Sequence, residues 1–357
     1  MAELLGLGLS HYPPFAGRDE DMAGILRWTL EDPDIPAEAK DEANWPPEMR
    51  AEWGSDQGRA SAAAHRSQLL AGFKKVRAVL DAFAPDVIVI WGDDQYENFQ
   101  EDLIPPLAIL AYPDLELRPW SEAKASSNMV GKQNYWQESA NTVFNVNGHE
   151  ELGRYLATSL LEQDIDVSYA YRQLHHRGLP HAYLNAVLYL DYHRVGFPYP
   201  VVPFSVNCYG RRVVSHRGYV SRFADLRPPD PPSPSPKRMM QVGAATARAL
   251  ASSPWRVALI ASSSWSHAFI CDKTWRLRPD TESDRMLYDA MIANEYRVWQ
   301  DRTLGEVEDA GQQEMLNWFA LIGAMHEIGH KVVWSDLVET HIFNSNKVFA
   351  AFGTDRQ

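Results

Sequence analysis

The sequence predicts an α/β fold, a single domain over residues 1–357 with a central, mostly parallel sheet and helices on both faces. Short apolar runs bounded by turn-forming residues, at residues 4–9, 87–91 and 257–261, are typical of buried strands. Segments with apolar residues at helical spacing alternate with further strand-like runs, and this alternation indicates a parallel sheet. Hydrophobic residues make up 45% of the chain, enough for a sizeable core.

The other predicted elements follow in order along the chain. Helices are expected at residues 65–83, 150–162, 239–251, 285–302 and 312–325, and strands at residues 107–112, 167–171 and 200–206. Two long polar segments, at about residues 15–63 and 113–147, are predicted to be lid-like insertions without regular structure. The proline-rich residues 227–236 are predicted to be a surface loop, because a helix and a strand resume directly after them.

Charge and cysteine content exclude several classes of protein. The chain has 47 acidic and 34 basic residues, a net charge of −13, which argues against nucleic acid or an anionic membrane as a partner. Its two cysteines, Cys208 and Cys271, form no CxxC pair, which fits a reducing cytoplasm. No apolar run reaches transmembrane length, and the amino terminus lacks the pattern of a signal peptide. The sequence therefore predicts a soluble, acidic, cytoplasmic protein.

Polar groups follow three of the predicted strands. His11 comes after the first, Asp93 and Asp94 after the second, and His267 after the third. Parallel strands present their carboxyl ends at one edge of a sheet, so these residues would meet there. Glu314 begins an otherwise apolar helix, where a carboxylate is either a metal ligand or a partner of the helix dipole. Strand-end histidines and Asp pairs are also ordinary loop residues, so the pattern alone does not choose the ligands.

A second candidate metal site has a sharper local motif. Residues 326–330 read H-E-I-G-H and match H-E-x-x-H, which places two imidazoles one helical turn apart beside a glutamate base. Gly329 disfavours continuing the helix, and the segment falls where that helix is expected to end. A zinc hydrolase built on His326 and His330 is kept as an alternative.

Taken together, these motifs resemble the class III extradiol ring-cleavage dioxygenases, and within them the catalytic β subunits of protocatechuate 4,5-dioxygenases. Ser10-His11-x-Pro resembles the first iron-histidine motif of that family, and residues 264–267, S-W-S-H, resemble its G-G-M-S-H segment. Ala310-Gly311-x-x-Glu314 resembles the segment that supplies the iron carboxylate. Less specific similarities lie in Trp318, residues 323–325, Asn207, residues 148–152 and Ser345-Asn346.

The chain departs from the family at the second iron histidine. When Phe99 and Ile104-Pro105 are aligned with the family, Gln95 stands in the histidine position. Imidazole suits Fe(II) better than an amide carbonyl does. This departure leaves three alternatives. Gln95 or Asp94 completes the iron site, His65 replaces the missing histidine, or the site no longer binds iron as it does in the family.

The resemblance also implies a mechanism and a set of partners. Fe(II) would be held by His11, Glu314 and Gln95, and both atoms of O2 would enter the ring of a catecholic or aminophenolic substrate. His267 would move protons, a role that requires a pKa near neutral. His176 in residues 176–178 is the nearest counterpart of the family's other active-site histidine, with His175 and His181 as alternatives. Ser345 and Asn346 would contact the substrate.

Two further expectations come from the family. A homodimer is its expected assembly, and the two insertions would replace the small companion subunit of the protocatechuate enzyme. A rival hypothesis is a family member that has lost ring cleavage and only binds, and Gln95 is the best argument for it.

Overall fold

An eight-stranded sheet forms the centre of the molecule, and a separate two-stranded sheet lies apart from it. The computed structural model describes residues 2–121, 133–176, 178–212, 217, 223 and 227–354. Its strands are β1 (Leu4–Leu9), β2 (Val87–Asp93), β3 (Leu107–Leu110), β4 (Leu115–Leu117), β5 (Phe144–Val146), β6 (Ser168–Ala170), β7 (Val201–Val206), β8 (Val257–Ser262), β9 (Lys331–Val338) and β10 (Lys347–Gly353).

The strand order of the large sheet is β6-β3-β7-β2-β8-β1-β10-β9. The four central strands β7, β2, β8 and β1 are parallel to one another. β3 is antiparallel to β7, β10 is antiparallel to β1, and β9 is antiparallel to β10. The predicted central, mostly parallel sheet is therefore confirmed.

Helices cover both faces of this sheet, as predicted. Side chains alternate between the faces along a strand, so Val89 and Trp91 pack with one hydrophobic cluster while Ile88 and Ile90 pack with the other. The helices are α1 (Gly24–Leu30), α2 (Ala37–Lys40), α3 (Pro47–Trp53), α4 (Arg59–Phe83), α5 (Glu150–Leu161), α6 (His181–Leu190), α7 (Pro236–Ala251), α8 (Thr281–Ile292), α9 (Tyr296–Gln300), α10 (Leu304–Asp309) and α11 (Leu316–Glu327). The first cluster includes α5, α7, α8, α9 and α11, and the second includes α1, α3, α4 and α6.

A close contact fixes α11 against β1. A Cβ atom at Gly8 would lie 2.0 Å from the ring of Trp318, so only glycine allows this approach. The indole nitrogen of Trp318 also donates to the carbonyl oxygen of Ser263 at 3.0 Å. These contacts hold the amino-terminal end of α11 next to the carboxyl ends of β1 and β8.

The prediction that residues 15–63 lack regular structure is wrong. They contain α1, α2 and α3, and the buried rings of Trp45 and Trp53 lie 5.8 Å apart. The Glu52 carboxylate accepts hydrogen bonds from the Thr340 hydroxyl and the His341 main-chain nitrogen, each at 2.6 Å. In the second segment β4 pairs with β5, while residues 122–132 lie outside the described residues. A lid function for either segment stays a prediction.

Some elements differ from the sequence prediction for identifiable reasons. The single helix predicted at residues 285–302 is interrupted, because Asn294 adopts a φ of 59° between α8 and α9. α6 was not predicted because it is buried on all sides and therefore has no apolar stripe. β9 and β10 were also missed. None of the helices in the described part of the chain combines the length and apolar character needed to span a bilayer.

Candidate metal and catalytic site

Buried polar side chains converge at the carboxyl edge of the parallel strands. His11 follows β1, Asp93 ends β2, Tyr209 follows β7 and His267 follows β8. Glu314 reaches them from a 3-10 turn, Gln313–Met315, that leads directly into α11. All five are buried. Because parallel strands end at the same edge, residues far apart in the sequence meet at one point, as predicted.

The His11 ring is oriented toward Glu314. Its Nδ1 atom lies 2.9 Å from the carbonyl oxygen of Ser262, so Nδ1 carries the proton and Nε2 keeps its lone pair. Nε2 lies 3.7 Å from Oε2 of Glu314, an oxygen that has no hydrogen-bond partner among the residues that the structure describes. Burial and the nearby His181 hold the pKa of His11 well below its ordinary value, so the imidazole is neutral. A neutral imidazole facing an unpartnered carboxylate oxygen fits a bound cation.

A second carboxylate lies in the same cluster. Oδ1 of Asp93 is buried, and no atom in the described part of the chain is its hydrogen-bond partner. Burial raises the pKa of Asp93 to about 6. Burial and the Asp93 carboxylate raise the pKa of Glu314 well above its ordinary value. Two buried carboxylates disfavour each other's charged form, and a bound cation would remove that penalty.

His181, the first residue of α6, completes a group of possible ligands. His11, Asp93 and His181 each offer one ligand atom, and these atoms all lie within 4.8 Å of one another. Nδ1 of His181 lies 2.8 Å from Oε2 of Glu97. Burial lowers the pKa of His181, but the carboxylates of Glu97, Asp93 and Glu314 together outweigh it and raise the pKa to about 10, so a cation bound to this imidazole would displace a proton.

Gln95 directs its amide nitrogen into the cluster. Nε2 donates to the Tyr209 hydroxyl at 2.6 Å, and lies 3.3 Å from both Oε1 of Glu314 and Oδ2 of Asp93. The Tyr209 hydroxyl in turn donates to Oε1 of Glu314. Gln95 therefore supports both carboxylates as a hydrogen-bond donor.

His267 lies on the other side of Glu314. Its Nε2 atom is 3.3 Å from Oε1 of Glu314, and its buried Nδ1 atom has no hydrogen-bond partner in the described structure. Burial lowers the pKa of His267 to about 3, not to a value near neutral as the sequence interpretation required. The nearby Lys347 and His181 side chains lower this pKa further. The neutral imidazole keeps a lone pair that can accept a proton, but a pKa this low makes it a weak base in the metal-free protein.

The two predicted substrate-binding residues differ in their surroundings. Ser345 pairs with His267 through its backbone, and its buried hydroxyl has no hydrogen-bond partner within the described residues. The Asn346 amide donates to Asp284 at 2.8 Å and accepts from the Thr340 main-chain nitrogen at 3.0 Å. Its side chain is thus held within the protein.

Two of the alternative ligands lie outside the cluster. His65, which the sequence offered as a replacement for the missing histidine, is buried in α4 with its ring 4.7 Å from that of Phe343. The Asp94 carboxylate accepts hydrogen bonds from the main-chain nitrogens of Glu97 and Asn98, at 2.8 and 3.0 Å. Asp94 therefore shapes the loop after β2.

The remaining histidines of the loop before α6 also point elsewhere. His175 is partly exposed and lies 2.9 Å from Oδ1 of Asp102. Nδ1 of His176 accepts a hydrogen bond from the Gly178 main-chain nitrogen at 3.0 Å, and the ring lines a small pocket together with Leu117. Arg177, in the middle of that predicted turn, lies outside the described residues.

The H-E-I-G-H segment does not form the helix that a zinc site of this type needs. α11 ends at Glu327, and Gly329 has a φ of 71°. His326 is exposed, with its ring 5.2 Å from that of Tyr296. The two imidazoles are therefore not on one helical face.

Sequence reasoning missed part of the cluster. Asp94 was named as a possible ligand instead of Asp93. Side chains alternate between the two faces along β2, and Asp93 lies on the same face as Val89 and Trp91, which is the face that α11 covers. His181 was kept only as an alternative. Its partner Glu97 carried no sequence signal, because the two are 84 positions apart and meet only through the fold.

Comparison with known proteins supports the resemblance to ring-cleaving dioxygenases. Residues 230–350 match a family model described as the catalytic LigB subunit of aromatic ring-opening dioxygenase. The match covers about a third of the chain, including His267, Glu314, Ser345 and Asn346. No curated protein sequence matches the chain. The chain thus resembles the class III extradiol dioxygenase family.

Proposed function

We propose that this protein is an Fe(II)-dependent extradiol-type dioxygenase that cleaves the ring of a catecholic or aminophenolic compound with O2. The observation that carries this proposal is the pairing of His11 Nε2 with the unpartnered Oε2 of Glu314, 3.7 Å apart in a buried cluster. The family match over residues 230–350 supports the same class of reaction.

His11 and Glu314 would hold the metal, with a third ligand from the neighbouring Gln95, Asp93 and His181. Two imidazoles and one carboxylate are the common ligand set of non-haem Fe(II) oxygenases. Fe(II) would supply open coordination positions for the two ring substituents and O2, and would polarise the bound substrate.

The surrounding residues would manage protons and orientation. His267 is neutral and would accept a proton from a ring hydroxyl through Nε2 or Nδ1. Tyr209 and Gln95 would hold the Glu314 carboxylate in place through Oε1. The free hydroxyl of Ser345, next to His267, would contact a ring substituent. His176 and Asn346 are further candidates for a catalytic contact and a substrate contact, respectively.

Composition and family similarity also suggest where the protein is located and how it assembles. The net charge of −13 and the absence of a CxxC pair support a cytoplasmic location without nucleic acid or membrane partners. A homodimer is the assembly expected from the family.

Metal content and ring cleavage, measured on the same preparations, test the proposal. Protein purified without air would be analysed for iron and zinc in wild type, Glu314→Ala and His326→Ala, then mixed with catechols and aminophenols while O2 uptake and product absorbance are recorded. We expect near-stoichiometric iron that is lost in Glu314→Ala and kept in His326→Ala, and O2 uptake equimolar with product. Zinc lost in His326→Ala would instead establish a hydrolase. Iron binding without O2 uptake on any of these substrates would point to a binding protein.

A further inference from the structure

We propose that His181 supplies the second imidazole of the metal site, that Asp93 is its neighbouring carboxylate ligand, and that Gln95 is not a ligand. This inference rests on the proposed metal-dependent function and names the ligands of that same site.

The orientation of His181 is the first argument. Its Nδ1 atom lies 2.8 Å from Oε2 of Glu97, and its main-chain nitrogen donates to Oε1 of the same carboxylate at 3.0 Å. The bidentate contact fixes Glu97, and Glu97 fixes the imidazole with Nε2 directed away from it. Histidines that bind metals commonly donate their other ring nitrogen to a carboxylate in this way.

The separation of the candidate atoms is the second argument. The ligand atoms of His11, Asp93 and His181 lie within 4.8 Å of one another, and the two imidazole rings are perpendicular, with centroids 5.0 Å apart. Two ligands about 2.1 Å from one ion are at most about 4.2 Å apart, so small side-chain shifts bring all three onto a common ion. Within the described part of the chain, Oδ1 of Asp93 has no hydrogen-bond partner. Glu314, 3.7 Å from His11, would be a second carboxylate ligand before substrate binds, and one of the two carboxylates would leave the ion when the ring substituents and O2 take three positions.

The position of Gln95 is the third argument. Its amide nitrogen, not its carbonyl oxygen, faces Asp93, Glu314 and Tyr209. An amide nitrogen has no lone pair available for a metal. The histidine missing at position 95 is therefore replaced by one from a different part of the chain, at the start of α6.

Metal affinity of single variants tests this assignment without relying on activity. Full-length wild type, His181→Ala, Glu97→Gln and Gln95→Ala would be titrated anaerobically with Fe(II) and with Co(II) against a competing chelator, and Co(II) absorption spectra recorded. His175→Ala is the matched control, because His175 lies in the same loop but pairs with Asp102 at the surface. Thermal unfolding in excess chelator would establish that each variant is folded.

The expected result is a loss of at least about 100-fold in affinity for His181→Ala, with a changed Co(II) spectrum, and a loss of about 10- to 100-fold for Glu97→Gln. Gln95→Ala should lose less than about 10-fold and keep the wild-type Co(II) spectrum, because Gln95 only donates hydrogen bonds to the carboxylates, and the control should remain within a few-fold of wild type. If His181→Ala fails to fold, His181→Asn gives the same comparison in a smaller polar side chain. Wild-type affinity and spectrum in both His181 variants, with loss in Gln95→Ala, would overturn the assignment while leaving the proposed dioxygenase intact. No binding of either metal by wild type would instead overturn the proposed function itself.

Discussion

The Glu314 carboxylate faces the His11 imidazole across 3.7 Å, and Oε2 of Glu314 has no hydrogen-bond partner among the described residues. In the absence of a cation, burial of this charge beside Asp93 is unfavourable, as the raised pKa of Glu314 indicates. The pairing therefore lowers the stability of the metal-free protein and would favour a metal-bound form.

We predict that Glu314→Gln stabilises the metal-free protein and removes stabilisation by metal. The new amide would donate toward Nε2 of His11 and relieve a buried charge, raising the free energy of unfolding by about 1–3 kcal/mol. Wild type should gain about 2.7 kcal/mol at a metal concentration 100 times the Kd, and the variant much less. Anaerobic denaturant unfolding with chelator, and then with Fe(II), measures both effects. A metal-free variant less stable than wild type would contradict the prediction.

We predict that His267→Gln slows turnover without removing the metal. General acid–base catalysis typically contributes about 10²- to 10⁴-fold, so kcat should fall within that range. Iron stoichiometry should match that of wild type, because the chain offers other ligands around His11. The exposed His326 provides the control variant His326→Gln. A parallel loss of iron and kcat would mean that His267 is a ligand instead of a proton carrier.

The sequence predicted the centre of the fold well. β1, β2 and β8 are short, fully buried strands with polar residues after them. The sequence therefore indicated both the position of each strand and the point where it ends. α6 is as apolar as those strands and lacks helical periodicity, so its type could not be assigned. The short helices of residues 15–63 are stabilised by tertiary contacts, such as that of Glu52 with Thr340, which leave no local pattern.

Residues of the site could be predicted only where a residue comes directly after a strand or lies in a known motif. His11, His267 and Glu314 satisfy that condition, and the structure brings them together. The choice between Asp93 and Asp94 depends on which face of β2 each side chain takes, and this in turn depends on where the strand ends. The contribution of His181 depends on Glu97, a pairing that only the folded chain creates.

We predict that Asp284 makes stability fall as the pH rises from about 4 to 7. Its buried carboxyl accepts from the amides of Gln312 and Asn346, at 2.7 and 2.8 Å, and burial raises its pKa to about 7. The unfolded chain loses this proton near pH 4, so over that range the folded state binds more protons and loses about 1.4 kcal/mol of stability per pH unit.

Asp284→Asn should remove this contribution to the slope. The unpartnered Oε1 of Gln312 allows its amide to rotate and accept from the new side chain. Denaturant unfolding of the metal-free protein at pH 4, 5, 6 and 7 would be compared with Asp289→Asn, an exposed carboxylate on the same helix. Equal slopes for Asp284→Asn and wild type would show that the carboxyl is ionised in the folded protein.

We predict that Lys347→Met stabilises the protein at pH 7. Lys347 is completely buried, with Nζ 3.7 Å from the centre of the Tyr12 ring and 2.7 Å from the carbonyl oxygen of Phe343. Burial holds its pKa well below the ordinary value. Methionine keeps the contact with Tyr12, and the Phe343 carbonyl still accepts from the Ser345 nitrogen at 2.7 Å. Replacing a poorly compensated buried charge by an apolar side chain should raise the free energy of unfolding by about 1–4 kcal/mol.

The pH dependence and a matched control distinguish this effect from improved packing. The pKa of Lys347 is lower in the folded protein than in the unfolded chain, so between these two values the unfolded chain binds one more proton. Wild-type stability therefore rises with pH over this range. The stability advantage of the variant should shrink as the pH approaches about 10.4, the pKa of lysine in the unfolded chain. Lys75 lies 4.2 Å from the centre of the Trp334 ring but is exposed, so Lys75→Met should change stability by less than about 0.5 kcal/mol. An advantage of Lys347→Met that stays constant from pH 7 to 10 would assign the gain to packing instead of charge.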